Sequence, residues 1–276
     1  MAGQVKPPFA YYGGKTTLAP VIADLLPQHG HYVEPFAGSL AVLLAKAPSE
    51  METVNDIDGD LMAFWRALRD QPEELYHACE LTPHSRAELK LSSVTTDIDD
   101  IERARRVWVR LTQSRSHSMR PSGWWQRKNA AAGHSPPMYA QSYAARMSAS
   151  ARRLRLVSLE CRDALDIIRD YGTEPSVCIY ADPPYVGSTR ATNYGHEMTD
   201  DAQHAEFAEV CNSAKASIVI SGYASPLYDE LFPGWHRTEL KAPTKLSSDT
   251  GATETLWSNV PLGKQEAFDF AALEAE

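Results

Sequence analysis

The sequence predicts an α/β protein: one largely parallel sheet, interrupted by an inserted subdomain. Three observations predict it. Short apolar runs alternate with amphipathic segments over residues 31–70, the pattern of nested βαβ units in a parallel sheet. The alternation vanishes between Gln71 and Ser150 and then resumes. Several apolar runs stop abruptly at carboxylates, and the carboxyl ends of strands are where open α/β sheets bind ligands. A chain of 276 residues with 43% hydrophobic and 23% charged composition suits one globular domain carrying a sizeable insertion.

The elements follow in order. His31-Tyr32-Val33-Glu34 reads as a strand and Pro35-Phe36-Ala37-Gly38-Ser39 as a turn. Leu40 to Lys46 is an apolar helix that ends near Pro48, and Met51 to Asn55 is a second strand reaching Asp56. Gly59 to Asp70 is an amphipathic helix with Leu61, Phe64, Trp65 and Leu68 on one face. Residues 71–154 form the insert, mostly helices and loops, in which helical pieces such as Ile101–Leu111 flank the Gly-, Ser-, Pro- and Arg-rich stretch SRSHSMRPSGWWQRKNAAAGHSPP. That composition suits loops. Strands resume at Val157–Cys161, Ser176–Ala181, Ser217–Ser221, His236–Leu240 and Glu254–Trp257, so that 1–70 and 155–276 make up the main domain.

Several classes are excluded. No apolar run approaches membrane-spanning length, and MAGQVKPPFAYYGGK has no signal-peptide core, so no membrane partner and a cytoplasmic location are expected. The four cysteines are scattered with no CxxC pair, which predicts reduced thiols and no metal site. Tyr11-Tyr12-Gly13-Gly14-Lys15 superficially resembles a phosphate loop. That pattern needs glycine at position 9, where Phe9 stands. The glycine pair, bracketed by aromatics and Lys15, is instead read as a loop that closes over a ligand.

The net charge of −9 hides an asymmetry. Between Ile101 and Asp163 thirteen Lys and Arg stand against three Asp and Glu, leaving 14 basic against 33 acidic residues elsewhere. A basic block in an acidic chain predicts a face for a polyanion. Trp108, Trp124, Trp125 and Tyr139 in the same block are candidate stacking platforms. Arg115, Arg120, Arg127 and Lys128 flank Gly123-Trp124-Trp125. Arginine can read guanine edges with two hydrogen bonds, whereas Lys128 suits phosphate.

Four strand ends form the candidate site. Gly38, in the first turn, lets a ligand approach the backbone and a helix N-terminus. Asp56 follows eighteen positions later, close to the spacing at which such folds bind ribose hydroxyls. The third strand ends at Asp163, and the fourth runs into Asp182-Pro183-Pro184-Tyr185. An exocyclic amine on a nucleobase is a poor nucleophile, because its lone pair is delocalised into the ring. A carboxylate and a proline-fixed carbonyl that accept its hydrogens favour the attacking lone pair and stabilise the positive charge that develops. The tyrosine ring suits stacking on a base taken out of its helix.

With YYGGK, VEPFAGS, VNDIDGDL, LECRDAL, YADPPY, TRATNYGHEM, SGYASPLYDELF and TETLWSN in this order, the chain resembles the Dam-type DNA adenine-N6 methyltransferases, especially phage and prophage members. The resemblance implies a Rossmann-like sheet that binds S-adenosylmethionine without metal, releases S-adenosylhomocysteine, and acts as a monomer on double-stranded DNA through the insert. It assigns cofactor contacts to Tyr11, Lys15, Phe36, Gly38, Asp56, Asp163 and Asp182. Catalysis falls to Asp182, Pro183 and Tyr185. Leu40 stands where the family's F-x-G-x-G has its second glycine, and the insert lacks the Asn-x-Pro-Phe-Gly-like hairpin of GATC-reading members. RNA-adenine and cytosine-N4 methylation, and DNA binding without catalysis, are the alternatives the sequence leaves open.

Overall fold

Seven strands join in one sheet: β1 (His31–Glu34), β2 (Met51–Asn55), β3 (Val157–Glu160), β4 (Val177–Ala181), β5 (Ser217–Tyr223), β6 (His236–Leu240) and β7 (Glu254–Ser258). The structure is a computed structural model and describes residues 4–94, 96–120, 123–129, 134–184, 200–240 and 253–263. The strand order is β3-β2-β1-β4-β5-β7-β6, parallel from β3 to β5, with β7 antiparallel to both neighbours. The chain steps outward from β1 to β3 and then crosses back to place β4 on the other side of β1. The strand order reverses there, and such a switch point opens a crevice at the carboxyl ends.

The central strands are apolar on both faces because both faces are covered. On β4, Val177, Ile179 and Ala181 join one hydrophobic cluster, while Cys178 and Tyr180 join the other. Ile218 and Ile220 of β5 likewise oppose Val219. Helices α1 (Ala19–Leu25), α2 (Ala41–Ala45) and α3 (Gly59–Asp70) contribute to the first layer. Helix α1 lies in a stretch without a clear apolar period, with Pro20 in its first turn. In α3 the predicted stripe Leu61, Phe64, Trp65 and Leu68 is fully buried, and Asp58 caps the helix by accepting from the amides of Asp60 and Leu61.

The insert is more helical than its composition suggested: α4 (Pro72–Glu80), α5 (Arg86–Leu91), α6 (Asp100–Gln113), α7 (Pro136–Ala144) and α8 (Met147–Leu154). Proline in the first turn of α4 and α7, and the accepting side chains of Ser85 and Asp99 at the starts of α5 and α6, supply the N-terminal signals. Helix α6 packs on α3, so Val107, Trp108 and Leu111 share a core with Phe64, Trp65 and Tyr32 of the main domain. Helices α9 (Ala164–Tyr171), α10 (Asp201–Ser213) and α11 (Pro226–Leu231) cover the opposite face.

Folding also redistributes the basic block. Arg103 and Arg110 bind Asp60, Arg105 binds Glu88 and Glu102, and Arg106 binds Glu102. Arg153 binds Glu52, and Arg162 binds Asp170. At least six of the thirteen cations are therefore paired with carboxylates of the chain itself. Most of those acids lie outside the block in sequence. Trp108 is also removed from the stacking candidates: it is buried, with Nε1 donating to the carbonyl of Pro8 at 3.0 Å.

Candidate active site

A cavity of about 400 Å³ opens at the carboxyl ends of the strands around the switch point. Tyr11, Lys15, Phe36, Gly38, Asp56, Asp163, Asp182 and Pro183 all line it. The sequence-predicted residues that the structure describes on the main domain thus converge on one hollow. Tyr185 and the TRATNYGHEM motif lie outside the described residues.

The turn after β1 forms the floor. Gly38 has φ +46°, and a Cβ there would meet the Tyr11 ring at 3.2 Å, so both backbone shape and contact call for glycine. Leu40, at the position of the missing second glycine, takes φ +54° and ψ +30°, the left-handed conformation that glycine adopts without cost. Its side chain is fully buried, and that packing offsets the strain. Asp56 ties this turn to β2: one carboxylate oxygen accepts from the amide of Gly38 and the other from the amide of Asp58, both at 3.0 Å. Asp163 caps α9 through the amide of Leu165 at 2.8 Å, and its side chain is exposed at the rim.

Lys15 reaches Asp182 from the glycine loop. Its Nζ lies 2.8 Å from both Asp182 oxygens and 3.6 Å from Glu254. Burial acts to lower the Lys15 pKa, but Asp182 and Glu254 more than reverse this, and the ammonium stays protonated. Gly14 packs under the same loop, where a Cβ would meet the Tyr11 carbonyl at 2.9 Å.

Three polar residues escaped sequence reading. Asn55 donates to the carbonyls of Pro35 and Arg162 and accepts from the Arg162 amide, which locks together the ends of β1, β2 and β3. Buried Glu34 accepts from the Tyr32 hydroxyl at 2.9 Å, and burial pushes its pKa up to about 8. The third is Glu254. Asn55 and Glu34 were visible as polar ends of apolar strands; Glu254 was visible only as part of the TETLWSN motif, with no role attached to it.

On the insert, the chain after α6 doubles back as a hairpin pinched at Ser114 and Trp124. Arg115, Arg120, Arg127 and Lys128 are exposed on and beside it. Trp124 is partly buried against His84 under the Arg86 guanidinium, and Trp125 packs on Tyr139 and His117. Among the described residues no group of His, Cys, Asp and Glu is arranged to hold a metal ion, and no helix is long and apolar enough to cross a membrane. Cys79, Cys161, Cys178 and Cys211 are all free thiols.

A mostly parallel sheet with a glycine turn after its first strand and a ligand-sized crevice at its switch point is the fold of the S-adenosylmethionine-dependent methyltransferases. The family model for D12 class N6 adenine-specific DNA methyltransferases matches residues 11–246, and the chain belongs to that family. It is therefore an adenine-specific DNA methyltransferase, which decides between adenine-N6 and cytosine-N4 and between DNA and RNA. Type II methyltransferase M1.LlaDCHI of Lactococcus lactis subsp. cremoris is 25% identical over 276 residues, covering 92% of this chain and 95% of that protein. Among solved structures, a methyltransferase from Geobacter sulfurreducens aligns over 91% of this chain and 80% of its own, at 10% identity and TM-score 0.37. A SAM-dependent methyltransferase from Agrobacterium tumefaciens aligns over 88% and 59% respectively, at 12% identity and TM-score 0.36.

Proposed function

We propose that the protein methylates adenine N6 at a specific sequence of double-stranded DNA, acting as a monomer, without metal, on a base rotated out of the helix. The observation that carries this reading is the convergence of Gly38, Asp56 and Asp182 on one cavity at the switch point. The cavity residues fit the cofactor: the Gly38 turn, packed on the Tyr11 ring, and the Asp56 carboxylate at the end of β2 line the same wall of the cavity. Tyr11, Lys15, Phe36, Gly38, Asp56 and Asp163 would hold S-adenosylmethionine, with Asp56 accepting from ribose hydroxyls. When bound, the cofactor supplies an electrophilic methyl group.

Asp182 accepts an N6 hydrogen of adenine and the Pro183 carbonyl accepts the other, which directs the nitrogen lone pair at the methyl group. The Asp182 carboxylate is partly exposed on the cavity wall, where an amine can reach it. Tyr185 stacks on the extruded base. Residues 71–154 serve as the target-recognition insert, with Arg115, Arg120, Arg127 and Lys128 on the DNA. The test is Asp182→Ala: it should fold normally and lose roughly 10²–10⁴-fold in single-turnover rate at saturating cofactor. A rate near wild type would remove Asp182 from catalysis.

A further inference from the structure

We propose that Glu254 is a positioning residue for methyl transfer, holding the Lys15 ammonium against Asp182 and leaving the three side chains one net negative charge where the attacking amine becomes positive. This rests on the reading of Asp182 as acceptor of the amine hydrogens. The residues meet from three distant parts of the chain. Glu254 opens β7, whose antiparallel register on β5 sets Tyr223 opposite Glu254 and Ser221 opposite Leu256. The two-residue period then brings Ser221 and Glu254 to the face that carries Val219, Leu256 and Tyr180.

There Ser221 Oγ donates to Glu254 Oε1 at 2.5 Å, and the same oxygen lies 3.6 Å from Lys15 Nζ. Ser221, Glu254 and Lys15 are all buried, whereas the Asp182 side chain keeps 21% of its exposure at the cavity wall. A carboxylate this buried is costly unless a partner compensates it. Its partner, Lys15, is already neutralised by Asp182, so a second anion is unnecessary for charge balance. With one ammonium shared between two carboxylates, Asp182 remains a stronger acceptor than it would be in a closed one-to-one pair. The Ser221 hydroxyl fixes the Glu254 oxygen that Lys15 faces.

The experiment compares Glu254→Gln with wild type in single-turnover methylation of unmethylated genomic DNA, across pH, at saturating cofactor. Glutamine keeps an oxygen to accept from Ser221 but gives the ammonium wholly to Asp182. We expect the rate constant to fall roughly 10- to 100-fold with cofactor affinity nearly unchanged. Glu34 of β1, Tyr180 of β4 and Tyr223 of β5 also face Asp182 and are the same in both proteins. The acidic limb of the profile should therefore move to lower pH, because loss of the neighbouring Glu254 anion makes Asp182 easier to ionise. An unchanged rate and limb overturns the proposal. So does a slower rate with an unmoved limb, since that is what a purely structural role gives. If Glu254→Gln does not fold, Glu254→Leu removes the same charge and is judged by the same two readouts. Asp182→Asn, run alongside, separates two failures. Wild-type activity in that variant overturns the reading of Asp182 itself. If it is inactive while Glu254→Gln equals wild type, only the role of Glu254 falls.

Discussion

The backbone amide of Tyr12 donates to the carbonyl of His117 at 2.8 Å. This one bond joins the glycine loop at the cavity to the hairpin of the insert. Neighbouring bonds reinforce it: Arg146 donates to the carbonyl of Pro7 and Trp108 to that of Pro8. Ordering of the hairpin by DNA should therefore order the loop over the cofactor. S-adenosylmethionine should bind more tightly with DNA present, and DNA should gain by the same factor, typically about 5–150-fold. Titrating the cofactor with and without duplex DNA checks this. Equal affinities would mean that the bond carries no coupling.

Asp56→Ala should weaken cofactor binding and also stability. It removes the acceptor of the Gly38 and Asp58 amides, and a half-buried donor left unpaired costs about 1–3 kcal/mol. Asp56→Asn, which keeps one acceptor oxygen, should recover part of the stability and less of the binding. Calorimetric titration and denaturant unfolding of both variants separate the two effects. Unaltered cofactor affinity in a folded Asp56→Ala protein would refute the ribose assignment.

The main-domain strands were legible because each is short, apolar and bounded by turn residues, and folding did not alter that pattern. The cavity was legible for a related reason: Gly38, Asp56, Asp163 and Asp182 all stand at strand ends, and parallel strands bring their carboxyl ends together. The insert was less so. Its arginines suggested an exposed basic face, yet Arg103 and Arg110 are matched to Asp60 on α3, and Arg153 to Glu52 on β2. A window along the sequence does not see partners brought in by the fold. Leu40 illustrates a different limit: a left-handed leucine is unfavourable locally and stands only because the core surrounds it.

Glu34 predicts a pH dependence. Burial raises its carboxyl from 4.5 to about 8 in the folded protein, so between these values the native state holds a proton that the unfolded chain has lost. Its contribution should therefore fall as pH rises through that window and level off above it, by about 1.4 kcal/mol for each pH unit between the two values at most. Glu34→Gln stays neutral throughout. The stability difference between wild type and Glu34→Gln, measured by denaturant unfolding from pH 5 to about 9, should shift against wild type as pH rises. A difference independent of pH would show that Glu34 ionises normally.

The hairpin of the insert carries the last prediction. Overall charge repels DNA, so binding has to come from a local field, and internal pairing leaves fewer cations for that role than the sequence suggests. Arg115, Arg120, Arg127 and Lys128 are exposed around the pinch at Ser114 and Trp124, while the tryptophans between them are packed against the subdomain. The packed rings thus fix the hairpin that carries the four exposed cations. Alanine at any of the four positions should weaken DNA binding and leave intrinsic cofactor affinity unchanged, because the Tyr12–His117 bond is made by backbone. An arginine that reads a base should, when replaced, relax the methylated sequence by about 1–3 kcal/mol at one position. A residue that meets phosphate should instead weaken all sequences alike and flatten the salt dependence. Methylation of a randomised DNA pool, with binding measured at several salt concentrations, distinguishes these outcomes for each variant. Four variants equal to wild type in affinity, salt slope and target sequence would place recognition on another surface.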